Sequence, residues 1–150
     1  MHLHAAKRSE EACTLDEACI RIRRELYALN PKKCSSGLAF ALYIHAAHLQ
    51  PLHRYSEARA AVEEAISLRR EWLDTNVKEH RPALALALYI YAFTLDKLEL
   101  SEQACKVVKE CIALYRQLNE QDPAGHRDML TRSMILQVVI GGDRGESGRN

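Results

Sequence analysis

The histidines are the densest group of side chains in this 150-residue sequence that could carry chemistry. Three of the seven lie close together in the chain, as His45, His48 and His53. On a helix, a spacing of three brings His45 and His48 to neighbouring positions, where imidazoles can bind a metal ion. His45 also occupies a position where the internal repeat of this sequence predicts a buried apolar side chain. Because a histidine pair without a supporting carboxylate is a weak metal signal, we predict no metal site and no cofactor.

The cysteines form an odd set of five without a C-x-x-C pair: Cys13, Cys19, Cys34, Cys105 and Cys111. This usage fits neither a disulfide framework nor a zinc ribbon and is typical of a reducing compartment. The first residues lack the apolar run of a secretory signal, so we expect a cytoplasmic protein. Cys34 lies in a predicted loop next to Lys32 and Lys33 and is the best candidate for a reactive thiol, since positive charge favours thiolate. Cys19 and Cys111 fall on places expected to be buried and small.

Other sequence features exclude several function classes. No G-x-S-x-G, H-E-x-x-H, Walker or G-x-G-x-x-G motif occurs, so we predict that the chain is not an enzyme. The alternative is a small metal- or thiol-dependent enzyme, which needs a base beside its nucleophile. Lysine and arginine number 21 against 20 acidic residues, for a net charge of +1. This balance favours neither nucleic acid nor a membrane as partner.

An internal repeat defines the elements that position these residues. A shift of 46 residues, without a gap, aligns three copies of the sequence. The coincidences include Ala12, Ala58 and Ala104, then Ile20, Ile66 and Ile112, then Arg24, Arg70 and Arg116. The run at 41–44 reads ALYI, as does the run at 87–90. Repetition at such a period is typical of proteins built from stacked supersecondary units.

Each copy contains one helix that is apolar all round and one amphipathic helix. The alternating run at 83–98 could be a strand by its period alone. It is rich in alanine and leucine and exceeds the usual strand length of about 3 to 10 residues, so a buried helix is the better interpretation. We expect Pro82 to open this helix and Ser101 to cap the next. The predicted all-α chain has six helices, at 8–29, 37–51, 55–74, 83–98, 101–119 and 127–140.

The apolar positions resemble the signature of the tetratricopeptide repeat, W-x2-L-G-x2-Y followed by A-x3-F. The first part reads Leu42-x2-His45-Ala46-x2-Leu49 here, and again Leu88-x2-Tyr91-Ala92-x2-Leu95. The second part reads Ala58-x3-Val62 and Ala104-x3-Val108. The longer unit is similar to the repeats of kinesin light chain and of large fungal tetratricopeptide proteins. Asp16 departs from the pattern, because an apolar residue is expected at its place.

The resemblance implies a right-handed α-solenoid of antiparallel helical hairpins that binds a peptide or helix of a partner protein on its concave face. Its domain would span 1–140, with partial repeats at 8–36 and 127–140 around full repeats at 37–82 and 83–126. Residues 141–150 are predicted to be a disordered tail. The family's groove positions correspond to Phe40, Tyr43, Ala47, Leu86, Tyr89, Phe93, Asp96, Lys97 and Arg132, with Ile135 following. Tyr43 and Tyr89 are equally compatible with core positions.

Two further expectations concern the surface and the ends. The arginine stripe with Arg24, and Arg23 and Arg69 beside it, is expected to be a solvated face that pairs with glutamates of neighbouring helices. The first helix lacks a partner, and neither end carries a polar capping helix. We therefore expect a fragment of a longer repeat array, which could self-associate through its uncapped ends.

Overall fold

The computed structural model describes residues 2–147, with side chains described over 4–142. Within that range every long element is helical and no strand occurs, so the predicted all-α class is confirmed. The helices are α1 (His2–Leu29), α2 (Pro31–Leu49), α3 (Tyr55–Glu71), α4 (Val77–Lys97), α5 (Ser101–Gln121) and α6 (Pro123–Ser147). Single 3₁₀ turns at Gln50–Leu52 and Leu73–Thr75 follow α2 and α3. The chain divides into two compact units, Met1–Ala83 and Leu84–Asn150.

Polar caps determine where three of the helices begin. Asn30, Asn76 and Asp122 precede α2, α4 and α6, and each side chain accepts a hydrogen bond from a backbone N–H three residues later. The donors are the amides of Lys33 at 3.3 Å, Glu79 at 3.3 Å and Gly125 at 3.2 Å. Such a bond satisfies one of the free N–H groups at a helix start. The three caps follow one another at the same 46-residue offset that aligns the sequence.

These caps correct the predicted helix starts at 37, 83 and 127, which are all too late. The apolar runs begin inside the helices, whereas the polar caps at 30, 76 and 122 begin them. Pro31 is consequently the first residue of α2, and Pro82 lies inside α4 and does not open it. Ser101 is the first residue of α5 and not its cap, because Leu100 holds the cap position without a side-chain hydrogen bond.

The chain ends also differ from the expectation. The first helix begins at His2 and not at residue 8, and α6 continues to Ser147, past the predicted end at 140. No proline follows Pro123, so the backbone hydrogen bonds of α6 can continue through Gly141 and Gly142. Over 141–147 the segment expected to be disordered is therefore helical, and 148–150 lie outside the described residues.

The turns after α2 and α4 share one backbone geometry. His53 and Glu99 both adopt the left-handed conformation, with φ of 55° and 62°. The next amide in each turn, of Arg54 or Leu100, donates to the carbonyl of a leucine five residues earlier, at 3.3 Å and 2.9 Å respectively. His53 and Glu99 are separated by the repeat offset, so the repetition extends to the loop backbone.

In the first unit, α2 packs against both α1 and α3. Ala46 and Ala58 are fully buried, and such small side chains let helix backbones approach closely. Larger buried groups complete the core of α2 and α3: Leu38, Leu42, Leu49, Val62 and Ile66. The indole N–H of Trp72 donates to the Tyr27 hydroxyl at 3.3 Å, which joins the end of α3 to α1.

In the second unit, one apolar cluster joins the later part of α4 to α5 and α6. Its buried members are Ala92, Leu95, Ala104, Val108, Ile112, Leu136 and Ile140. The Cys111 thiol donates to the Ala85 carbonyl at 3.4 Å and lies 3.5 Å from the Ser133 hydroxyl. These contacts give the buried thiol and hydroxyl hydrogen-bond partners inside the helix packing, as buried polar groups require. None of the described helices is both long and apolar enough to cross a lipid bilayer.

Candidate functional site

The predicted groove residues of the first unit form one face of α2. Phe40, Tyr43 and Ala47 are spaced by three and four residues, which places them in line along a helix. Phe40 is 58% exposed, whereas Tyr43 and Ala47 are half-buried. The Phe40 and Tyr43 rings lie 6.5 Å apart between centroids, at an angle of 37°. Burial raises the pKa of the Tyr43 hydroxyl, which therefore stays protonated.

The corresponding residues of the second unit lie on α4. Tyr89 and Phe93 are half-buried and pack against the apolar cluster, so each ring contacts the core while keeping part of its surface exposed. Leu86 and Asp96 are half-buried as well. The ammonium of Lys97 lies 5.3 Å from the centre of the Phe93 ring, within range of a cation–π interaction. On α6, Arg132 and Ile135 are exposed.

A polar cluster that the sequence did not predict lies between α1 and α2. The carboxylate of Asp16 lies between two imidazoles, with its Oδ2 2.7 Å from Nδ1 of His48 and 3.4 Å from Nδ1 of His45. The side chains of Asp16 and His45 are only 14% and 12% exposed. His45 and His48 lie one turn apart on α2, so a single carboxylate on α1 reaches both rings.

Cys13 completes this cluster from the preceding turn of α1. It is buried, and one ligand atom each from Cys13, Asp16 and His45 lie within 4.8 Å of one another. Burial, and after it the negative charge of Asp16, raise the pKa of the Cys13 thiol. The thiol is therefore protonated at neutral pH unless a cation takes the place of its proton.

The signal for this cluster was present as two departures from the repeat pattern. Asp16 occupies a place where an apolar side chain is expected, and His45 occupies the inward place of a leucine. The structure brings these two positions together across the α1–α2 contact. The supporting carboxylate that the histidine pair lacked in the sequence is thus Asp16, although 29 residues separate it from His45.

Two surface grooves of the first unit reach the cluster from different sides. The larger, about 430 Å³, runs between α1 and α3 and is lined by His45 together with Arg24 and Glu64. The smaller, about 170 Å³, lies between α1 and α2 and is lined by Asp16 and Phe40. Solvent and small ions can therefore approach both Asp16 and His45.

The arginine stripe behaves as expected at one position and not at another. Arg24 forms an ion pair with Glu64 of α3, with Nη2 and Oε2 2.8 Å apart. Arg69, expected on the solvated face, is instead only 5% exposed. Its guanidinium donates to the Ser36 hydroxyl and to Nδ1 of His80, each at 3.2 Å. The helix face carrying Arg69 is therefore inside the unit, and hydrogen bonds to Ser36 and His80 replace solvent.

His80 gives the first unit an acid-sensitive group. Burial, followed by the charge of Arg69, lowers the pKa of His80 below its ordinary 6.5. Below about pH 6.5 the unfolded chain binds a proton that the folded chain does not, so stability falls as the pH falls and levels off below the folded pKa. Denaturant titrations at about pH 7.5 and about pH 5 should show a smaller loss in His80→Gln than in wild type. The exposed control His4→Gln should keep the full loss, and an unchanged loss in His80→Gln would contradict this prediction.

The other cysteines do not form a second thiol site. Cys19 is exposed, contrary to the expected buried place, and lines the smaller groove between α1 and α2. Cys34 is half-buried in the first turn of α2 and not in a loop. Cys111 is buried as expected, and burial raises its thiol pKa to about 11, so it serves packing and not nucleophilic chemistry.

The chain was compared with protein-family models, with curated proteins and with solved structures. No family model matches it, and no curated protein or solved structure does so.

Proposed function

We propose that this chain is a protein-interaction scaffold of tetratricopeptide type, which binds a peptide or helix of a cytoplasmic partner protein. One observation carries this proposal: α2 and α4 present the same partly exposed face at the repeat offset. Tyr43 corresponds to Tyr89, and Phe40 and Ala47 correspond to Leu86 and Phe93. In both helices these residues keep part of their surface accessible, although their neighbours on other faces are buried.

The chemistry of this face suits an apolar partner segment with a few polar contacts. Aromatic side chains in partly desolvated places supply much of the binding energy of protein interfaces. Tyr43, Tyr89 and Phe93 are such half-buried groups, and Phe40 lies beside Tyr43 with more of its surface exposed. Packing against the apolar cluster already restricts the Tyr89 and Phe93 rings. A bound segment would therefore cost little side-chain ordering on this side of the interface. Lys97 and Arg132 are exposed cations that can pair with carboxylates of the partner.

Single charge insertions test the proposed face. Phe40→Lys or Phe93→Lys should each weaken partner binding by about 2 kcal/mol or more, because a hot-spot ring is lost and a charge is placed at an apolar contact. The full chain can be used to capture partners from extracts of its own cells, followed by quantitative mass spectrometry and titration of the recovered partner. Ala113→Lys adds the same charge at an exposed position of α5 and should bind as wild type. Recovery of the same proteins in the same amounts by all variants would contradict the proposal.

Self-association is a second candidate, and α1 favours it. The outer face of α1 exposes Leu15 by 72%, Ile22 by 55%, Leu26 by 42% and Leu29 by 84%. Together with the exposed Cys19, their spacing alternates four and three residues, the spacing of a seam between two helices. A second copy of this helix offers the same apolar stripe, so a symmetric pairing would cover both.

A further inference from the structure

We propose that Cys13, Asp16 and His45 form a binding site for a divalent transition-metal ion, with zinc the best match and His48 as its outer partner. The proposal is independent of the protein-interaction function. It assigns a role to the polar cluster between α1 and α2, which the interaction face does not use.

The geometry fits a shared ion. Zinc is held by sulfur at about 2.3 Å and by nitrogen or oxygen at about 2.0–2.2 Å, so donors around a tetrahedral ion lie about 3.3–3.7 Å apart. The Cys13, Asp16 and His45 donors already lie within 4.8 Å of one another, so side-chain adjustments of about 1 Å would bring all three to one ion. They come from two turns of α1 and one of α2, so the packing of these helices sets their separation.

The donor types select among metals. Thiolate, imidazole and carboxylate together are the ligands of zinc sites, whereas magnesium and calcium prefer oxygen ligands alone. Three protein donors leave one position of a tetrahedral ion for water. Binding would displace the Cys13 thiol proton to solvent and form the Cys13 Sγ–metal bond.

The local charge favours a cation. The carboxylates of Asp16, Glu17 and Glu57 all act on Cys13 electrostatically. Arg54 also acts there, but its guanidinium is bound to Glu57, with Nη2 and Oε1 2.8 Å apart. The carboxylate of Asp16, which is only 14% exposed, lies between the imidazoles of His45 and His48. A bound divalent ion would neutralise it.

His48 acts on the site through Asp16. Its Nδ1 lies 2.7 Å from the Asp16 Oδ2, the carboxylate–histidine contact that orients ligands around metal ions. Its side chain is 41% exposed, so it can change without loss of core packing. His48 is therefore a positioning residue, and its substitution is expected to weaken metal binding by about 10- to 100-fold.

Cobalt and zinc titrations of the full, untagged chain test the site. Cobalt should bind with one ion per chain and give a thiolate-to-metal charge-transfer absorption, which zinc should abolish by displacement. Cys13→Ser should remove the absorption. Asp16→Asn and His45→Gln should each weaken zinc binding more than a substitution of His48 does, that is, by more than about 10- to 100-fold. Cys19→Ser changes the same residue type on the same helix and should bind as wild type.

Three results would overturn the proposal. The first is that wild type binds zinc no more tightly than His45→Gln does. The second is that the cobalt–thiolate absorption survives in Cys13→Ser, and the third is that this absorption is lost in Cys19→Ser. Circular dichroism checks that each variant keeps its helices. If Cys13→Ser does not fold, the Asp16→Asn and His45→Gln titrations decide the outcome, since these side chains are partly exposed and keep their approximate size.

Discussion

Leu95→Ala is expected to lower the free energy of unfolding by about 2–5 kcal/mol. Leu95 is fully buried in the apolar cluster of the second unit, so its removal leaves a cavity that the surrounding helices fill only in part. Leu49 is the equivalent residue of the first unit and is also 0% exposed. Leu49→Ala should therefore cause a loss in the same range, because the repeat gives the two leucines the same place at the end of an apolar helix.

Denaturant unfolding followed by circular dichroism measures both losses, and hydrogen exchange shows which helices lose protection. Val138→Ala shortens an aliphatic side chain of the same unit that is 73% exposed, and surface changes of this kind usually stay within about 0.5 kcal/mol. Equal losses for Val138→Ala and Leu95→Ala would mean that the apolar cluster does not hold the second unit together.

The double variant Ile22→Glu with Leu29→Glu is expected to abolish self-association through α1. A buried leucine or isoleucine side chain contributes about 1.5–3 kcal/mol, and each substitution counts twice at a symmetric interface. The association constant should accordingly fall by at least about ten-thousandfold, since each 1.4 kcal/mol is tenfold. Sedimentation equilibrium of the wild-type chain should show a dimer that becomes a monomer in the double variant.

Ala28→Glu is the control for that experiment. Ala28 is exposed on α1 but lies away from the apolar stripe, so it adds a negative charge to the helix without entering the seam. It should leave the mass in solution unchanged. A wild-type chain that stays monomeric at high concentration would exclude self-association, and the exposed α1 face would then need a different partner.

The repeat explains how much of the fold was predictable. Helix-forming residues and the spacing of apolar side chains predicted six helices, because both act locally and recur three times in the sequence. The starts of α2, α4 and α6 were misplaced by four or six residues. Apolar periodicity does not include the first turn of a helix, where Asn30, Asn76 and Asp122 satisfy free amides. Those three capping residues could have been recognised in the sequence, because they recur at the same 46-residue offset as the apolar positions.

The polar cluster was not predictable in the same way. Its contacts join residues 29 and 32 positions apart, and they depend on which turns of α1 and α2 face each other. In a local sequence pattern, Asp16 and His45 are two separate departures from the expected apolar residues. Each becomes a suitable neighbour for the other only after the helices pack, because a carboxylate and an imidazole satisfy each other where two apolar groups would otherwise meet. Burial of Arg69 was missed for a related reason, since its partners Ser36 and His80 lie on other helices.

The regular spacing of the caps limits how this gene can change in length. An insertion or deletion of whole 46-residue units between Asn30 and Asp122 keeps every helix start attached to its own capping side chain and every left-handed turn in place. A change of one or two residues inside a helix would shift an apolar run relative to its cap and rotate its buried face toward solvent. The protein can therefore grow or shrink by duplication more readily than by small insertions.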